Sequence, residues 1–574
     1  MSGSPKTGLK KAAHILPILL FILVMLFSWY TGYHFAHRII DSDSSSELVL
    51  GHLLAEENTI VTLDWFYGSE LRMFNTNLVY MPLFKLFSDW STVRFASIVI
   101  LQIILVLSYA YLSRQIGLSR NTFFLTASMM MLPISSLYGM LILYQSYYVP
   151  CVAYGFLIVG LYLSVIKRRG GRRRIAQGLR IALMLILSVM SCMNGARQIP
   201  ATMLTLPLAA LLVAVKAQGK APALSVIDRQ QRKNVGLACL VFLAGSAGFL
   251  IHNLILGKYF VFISTTGAEV ALPTVDNILI IFKSYLYQFG YQEEGRLLFS
   301  LEGMLSLAAV FAAAVFFALA VRKLLSRPNP GQTYPTMLML NYYPVALTVM
   351  VAIFFLSPEF QGYRSFYLTV IVWLFPLIGA ALSRASLKNV TVKRALIYLA
   401  CLCLAGSGVY HNLYYLHPEG KKTQFSTLTQ LPVDTLDHLQ GVLDFLDENG
   451  YEAGYATHWQ CNVITEATNG RIPMIRIIRL YPEPMYAYDD CLTYKQTRDL
   501  SFVEDKNTFL LLTHDEGDIF SASELAPYAI PVYEDDDYRV YTFDFSTEVW
   551  DYLLNQAKYL NQTSVLNQLL PQVE

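Results

Sequence analysis

The chain has 574 residues, 55% of them hydrophobic and only 15% charged, with a mean hydropathy of +0.43. That charged share lies well below the roughly 25% of soluble domains and excludes a wholly water-soluble protein. The net charge of +2 arises from basic and acidic residues segregated along the chain, and no stretch forms the basic face that a nucleic acid would require.

A helix needs about 20 mainly apolar residues to cross roughly 30 Å of hydrocarbon, and about 11 such runs follow one another. The first, from about His14 to Ala36 behind Lys6, Lys10 and Lys11, is too long for a signal peptide and no small-residue cleavage site follows it. It reads as an uncleaved span entered from the cytoplasm, after a cytoplasmic segment 1–13. Further runs lie near 93–113, 121–141, 148–166, 175–194, 198–216, 234–256, 301–321, 336–356, 365–383 and 395–415. Strict alternation puts Arg114 and Arg120, the run from Lys167 to Arg174, Arg229 to Lys233, Arg322 to Arg327, and Lys388 to Arg394 on one side, which the positive-inside bias makes cytoplasmic. The expected location is a plasma membrane, bacterial by default, with the N-terminus inside and the C-terminus outside.

Three non-cytoplasmic segments are then large: residues 37–92, 257–300 and a tail over 417–574. The tail pairs an amphipathic stretch, Val433 to Glu448, with the alternating Tyr455 to Ile464, and so predicts a folded extracytoplasmic α/β domain after the transmembrane domain 14–416. Five of the seven cysteines sit in apolar runs as packing residues; Cys461 and Cys491 fall in the tail, where an oxidising compartment would allow a disulfide. No CxxC, HExxH or Cys/His cluster with metal spacing is present.

Asp41, Asp43 and Glu47 arrive within one or two turns of the end of the first run. From Ser44 onward the pattern predicts an amphipathic helix lying along the membrane surface, capped by Asp43 or Ser44, with Glu47 on a solvated face. The plain reading leaves Asp43 as a cap and Asp41 as a solvated loop residue. Cations on the same predicted side come from separate segments: Arg197 after Asn194 and Gly195, Lys258 after the seventh run, and Arg364 within Gly362 to Tyr367. Lys258 reads as a snorkelling side chain, whereas the Arg364 fork suits a lipid phosphate. Between Ile60 and Tyr80, Trp65 and Tyr67 stand beside Asp64, Glu70, Arg72, Asn75 and Asn77, a mixture found both at sugar-binding faces and at any membrane interface. Residues 277–291 form a candidate surface helix closing over a site, and His458, Trp459 and the acids Asp535 to Asp537 read as surface or core of the tail. The runs hold almost no ionisable residue, His252 being the nearest case, which argues against an ion-coupled transport path but leaves a lipid flippase or passive channel open.

Three landmarks resemble one family. They are Asp41 and Asp43 after the first run; Met81, Pro82, Leu83 and Phe84 followed by Ser88, Asp89, Trp90 and Arg94; and Tyr363, Arg364, Ser365 and Phe366 before a run containing Pro376. Together, over about residues 14–415, they resemble the GT-C class of polyprenyl-phosphate-sugar-dependent glycosyltransferases, especially the protein mannosyltransferase and aminoarabinose transferase branch. The pattern departs at Met81, where proline is common, and at Ser365, where tyrosine is. The resemblance implies a GT-C-like membrane domain that moves a hexosyl or pentosyl group from a polyprenyl-phosphate donor to an extracytoplasmic glycan, lipid or protein. It implies a general base among Asp41 and Asp43, Asp41 being the first choice and Asp43 the alternative, with Asp43 otherwise its support or a ligand for a divalent cation, Mg or Mn. Arg364 and Arg197 would hold the donor phosphate, and Glu47, Tyr363, Trp65 and Tyr67 would bind substrate. The competing class is a lipid-linked-glycan flippase indifferent to loss of either aspartate, and behind it a scaffold whose tail alone binds surface polymer.

Overall fold

The computed structural model describes residues 5–167, 174–217, 228–262, 272–291, 297–328, 331–357, 367–383, 391–417, 435–480, 485–488, 492–495, 506–523 and 525–543. Tyr363, Arg364 and Cys491 lie outside these residues.

Helix α1 (Pro5–Arg38) leads into α2 (Ser42–Glu57), a two-residue strand β1 (Trp65–Phe66), α3 (Asn77–Phe84) and the long α4 (Trp90–Ile116). α5 (Arg120–Met130) and the turn α6 (Ser136–Tyr138) precede α7 (Val149–Lys167), α8 (Arg174–Met193), α9 (Thr205–Lys216), α10 (Arg229–Leu254) and α11 (Val275–Tyr287). α12 (Leu301–Leu325), α13 (Tyr334–Leu356), α14 (Leu368–Ile371), α15 (Leu374–Leu382) and α16 (Thr391–Leu416) complete the bundle. Among the described residues, nine helical stretches are long and apolar enough to cross a membrane, so this is a multi-pass membrane protein. The runs predicted at 121–141 and 365–383 are broken helices. In the first, Pro133 lacks an N–H and biases its predecessor away from the helical region; in the second, α14 and α15 are separated by Val372 and Trp373.

The tail is a sheet domain. α17 (Thr435–Glu448), β2 (Ala453–Ala456), α18 (His458–Ala467), β3 (Met474–Leu480), β4 (Met485–Tyr488), β5 (Thr493–Tyr494), β6 (Thr508–Thr513), α19 (His514–Phe520), β7 (Ala529–Glu534) and β8 (Tyr538–Phe543) follow in order. Six strands run in the order β4-β3-β2-β6-β8-β7, with β2 parallel to both β3 and β6 and the remaining pairs antiparallel. α18 crosses between the parallel strands β2 and β3, the connection such a pair requires. A capping box at Thr513 and Glu516 starts α19.

The two parts are sewn together around α2. β1 of the first inter-span segment pairs antiparallel with β5 of the tail, Trp65 opposite Tyr494. α2 packs against α3 on one side and α18 on the other. Its partners leave little of it exposed: 11 of its 16 residues are buried, Glu47 among them, so the surface-lying amphipathic helix expected from the sequence is instead a buried one. Gly51 permits this, because a Cβ there would stand 2.7 Å from the Tyr80 Cβ of α3. The cap also differs from expectation: Asp41, not Asp43 or Ser44, is the N-cap, in extended conformation, and its side chain accepts from the backbone N–H groups of Asp43 and Ser44.

Candidate active site

Where α1 ends and α2 begins, one Asp41 oxygen accepts from the Asp43 N–H at 3.0 Å and the Ser44 N–H at 3.2 Å, and the other accepts from the Ser44 hydroxyl at 3.0 Å. Asp41 is 8% exposed. Burial, reinforced by the neighbouring Asp43 charge, pushes its carboxyl up to about 6 against the opposing pull of Arg94 and the Ser44 hydrogen bonds. Asp43 points the other way, with 52% of its side chain exposed, and its Oδ1 lies 3.2 Å from Nε2 of His458, the first residue of α18. Its surroundings oppose ionisation, yet the hydrogen bond and charge of His458, with Arg72 and Arg476, hold it below the usual carboxylate range. Two carboxylates two residues apart therefore have opposite shifts, because one caps a buried helix and the other meets a cation at the surface.

Behind them lies a buried ion pair. Arg94, in the first turns of α4, is 1% exposed and sends Nε and a second guanidinium nitrogen to the two oxygens of Glu466 in α18, Nε at 2.6 Å. A further guanidinium nitrogen donates to the Ser44 hydroxyl at 3.0 Å, and the Ser45 hydroxyl donates to Glu466 at 2.6 Å. One step beyond, Glu47 pairs with Arg72 and accepts from the Thr76 hydroxyl.

The adjoining cleft, about 390 Å³ including its open mouth, is lined by Glu70, Tyr147, Tyr148, Tyr154, Asn194 and Arg197 among others. Arg197 pairs with Glu70 at 2.9 Å and sits 4.7 Å from the centre of the Tyr148 ring. Burial raises the Glu70 carboxyl, against the opposing charge of Arg197. The Asn194 side chain accepts from the Phe74 N–H and donates to the Phe74 carbonyl, fixing the 70–76 segment to the end of α8. Gly195, at φ 132°, lets Glu70 approach, since a Cβ there would meet the Glu70 Cγ at 2.9 Å.

No family model and no curated protein matches the sequence. Among solved structures, that of ArnT from Cupriavidus metallidurans bound to undecaprenyl phosphate superposes with a TM-score of 0.52, covering 91% of this chain and 97% of that one at 11% identity. This chain has the GT-C fold. Two structures of the oligosaccharyltransferase of Archaeoglobus fulgidus, one with Zn and sulfate and one apo, are 12% identical, cover 91% and 94% of this chain and 73% and 75% of their own, and give TM-scores of 0.43 and 0.42.

Within this GT-C fold, Asp41, Asp43 and Glu47 stand at the cap and in the first turns of α2, each with different partners, and Arg197 lines the cleft. Glu47 is an ion-paired, 2% exposed residue, not a solvated one. Trp65 and Tyr67 are each 1% exposed in the packing between α2 and the first strand, with the Tyr67 hydroxyl bound to Thr62, so neither offers a ring face to a solute. Among the described residues no three His, Cys, Asp or Glu side chains gather as a metal would need; Asp43 faces an imidazole and two guanidinium groups, a setting suited to an anion or a proton rather than to Mg or Mn. Sequence reading missed the place of His458 beside Asp43, Glu466, and the pairings of Glu70 with Arg197 and of Arg72 with Glu47. The available signal was Arg94 itself: a guanidinium entering an apolar helix demands a buried acidic partner.

Proposed function

We propose that the protein moves a sugar from a polyprenyl-phosphate donor to an acceptor on the non-cytoplasmic side of the membrane, with Asp43 as the base. The observation that carries this reading is the placement of Asp43: held below the usual carboxylate range, half exposed and acting by its charge on Tyr147 of the cleft wall, in a fold shared with the ArnT structure bound to undecaprenyl phosphate. An acceptor hydroxyl is a weak nucleophile, and a carboxylate that removes its proton as it attacks is worth about 10²- to 10⁴-fold. The acceptor oxygen bonds to the anomeric carbon, the bond from that carbon to the phosphate oxygen breaks with its electron pair leaving on phosphate, and the acceptor proton passes to Asp43. Asp41 supports this from behind as the cap that aims the first turn of α2.

The phosphate side falls to Arg197 and, on the family pattern, Arg364 with Tyr363. Arg197 already stacks on Tyr148 and carries Glu70 as a counter-ion, which a donor phosphate would compete with for the guanidinium fork.

The test is transfer by the purified, lipid-reconstituted protein supplied with a panel of polyprenyl-phosphate sugars and candidate acceptors. Asp43→Asn is expected to lose at least about 100-fold in kcat with its fold intact, while Asp41→Asn, which still caps the helix, retains measurable turnover. Donor consumption undiminished in both variants would remove the carboxylates from the mechanism. Lipid movement across the bilayer without consumption of any donor would assign the protein to flipping.

A further inference from the structure

α18 lies along α2 and touches it at both ends. His458 at its start meets Ser42 and Asp43, and Glu466 two turns later meets Ser45 and Arg94. Just past α18, Asn469 accepts from the Trp90 N–H at 2.8 Å, and Gly470 lies so close to the Trp90 ring that a Cβ would come within 2.9 Å of it. With the β1–β5 pairing, these contacts fix the tail domain on the membrane domain in one register. An imidazole is thereby delivered to a carboxylate 415 residues away in the chain.

The hydrogen-bond arithmetic around that imidazole is restrictive. Ser42 has one hydroxyl proton, and it goes to the His458 carbonyl. The Ser42 oxygen lies 3.3 Å from Nδ1. Nε2 faces Asp43 Oδ1, itself an acceptor, and the 3.2 Å contact requires a proton between them. The pair therefore engages Oδ1 of Asp43 and leaves the second oxygen uncommitted.

We propose that the tail domain completes the active site, with His458 as the positioning residue that clamps one oxygen of Asp43 and turns the other toward the acceptor. The inference rests on the transferase reading above. In the transfer step the acceptor proton goes to the second Asp43 oxygen while His458 stays bonded at the first, so the carboxylate cannot swing away as the new bond forms. Asp41, Arg72 and Arg476 also bear on Asp43 through their charges. A plain surface ion pair is the simpler account of His458. Against it stand an imidazole only 20% exposed, its second hydrogen bond to Ser42, and its place on a helix anchored by a buried ion pair.

The experiment uses the full-length reconstituted protein with the donor that wild type consumes, comparing His458→Ala, His458→Gln, Asp43→Asn and the double variant His458→Ala/Asp43→Asn. The expected result for His458→Ala is a fall in kcat of about 10- to 100-fold, as when a reactive group loses the partner that orients it, with donor KM unchanged. His458→Gln keeps a side-chain N–H and is expected to recover at least part of that loss. In the Asp43→Asn background, His458→Ala is expected to add nothing, because a group that acts only through Asp43 has nothing left to orient. Wild-type kcat in His458→Ala, no recovery by His458→Gln in a protein that melts like wild type, or a second full loss in the double variant would each overturn the proposal while leaving the transferase reading standing. A wild-type protein that consumes no donor would remove the transferase reading, and the role of His458 with it.

Discussion

Two arginine–glutamate pairs flank the site and teach different things. Arg94–Glu466 is sealed, with side chains 1% and 2% exposed, and its remaining valences are taken by Ser44 and Ser45. Arg197–Glu70 is open, 25% and 11% exposed, set in a cleft wall beside an aromatic ring. A sealed pair surrounded by satisfied partners cannot exchange its counter-ion and serves as a clamp between α4 and the tail domain. An open pair is a guanidinium whose counter-ion can be replaced by another anion. Identical chemistry becomes architecture or binding according to whether solvent and ligand can reach it.

The largest expected effect breaks the clamp. Glu466→Ala leaves the Arg94 charge buried and unpaired and should destabilise the protein by about 3–5 kcal/mol, read as a fall in melting midpoint and earlier proteolysis of the tail. The double replacement Arg94→Met/Glu466→Leu, which removes both charges, should recover most of that. Equal damage from single and double variants would mean that the pair does more than dock the domain.

Next is Asp41, which Arg94 also faces. Its carboxyl rises from 3.8 to about 6 on folding, so the folded state binds the proton more tightly. The stability this contributes is full below the ordinary value and is lost as pH rises through about 6. At about 1.4 kcal/mol per pH unit, ionised Asp41 weakens the fold at neutral pH by at most about 3 kcal/mol. Asp41→Asn, an equally good cap, should therefore melt higher than wild type at pH 7 and show a flatter stability profile between about pH 4 and 6. A variant that tracks wild type across that window would show that burial of Asp41 is not what sets its ionisation.

Gly195→Ala sharpens the open pair from the backbone side. It forces a Cβ onto φ 132° and against Glu70, and should cost about 1–3 kcal/mol in a melt while raising the donor KM. The smallest structural effect belongs to Arg197→Ala, at most about 1 kcal/mol in a melt for a part-exposed pair, and its signature is kinetic: about a tenfold rise in donor KM. If Arg197→Ala unfolds the protein as Glu466→Ala does, the contrast between the two pairs disappears.

Much of the frame was legible before any coordinates. The long apolar helices are each a local property, since hydrocarbon thickness and the lack of charge within about 20 residues decide them. The Asp41–Asp43 motif at the end of α1 and the sheet-bearing tail could likewise be read from adjacent residues. α2 was misjudged because its pattern of leucines and serines is neutral about what covers the polar face; α18 covers it, through Glu466 and His458. The choice of cap followed the same logic: Asp41 and Asp43 were equivalent candidates until the chain's extended turn at Asp41 aimed its side chain at the helix N–H groups.

By itself, then, the sequence determined that this is a membrane protein, where its helices lie, and that acidic and basic groups gather beside one end of them, because apolar length and charge position act within a few turns of chain. Only the tertiary structure decided which acid is buried, which is exposed, and which cation each one meets. Those outcomes depend on distance and burial, and the decisive partners, Arg94 with Glu466 and Asp43 with His458, stand 372 and 415 residues apart in the chain.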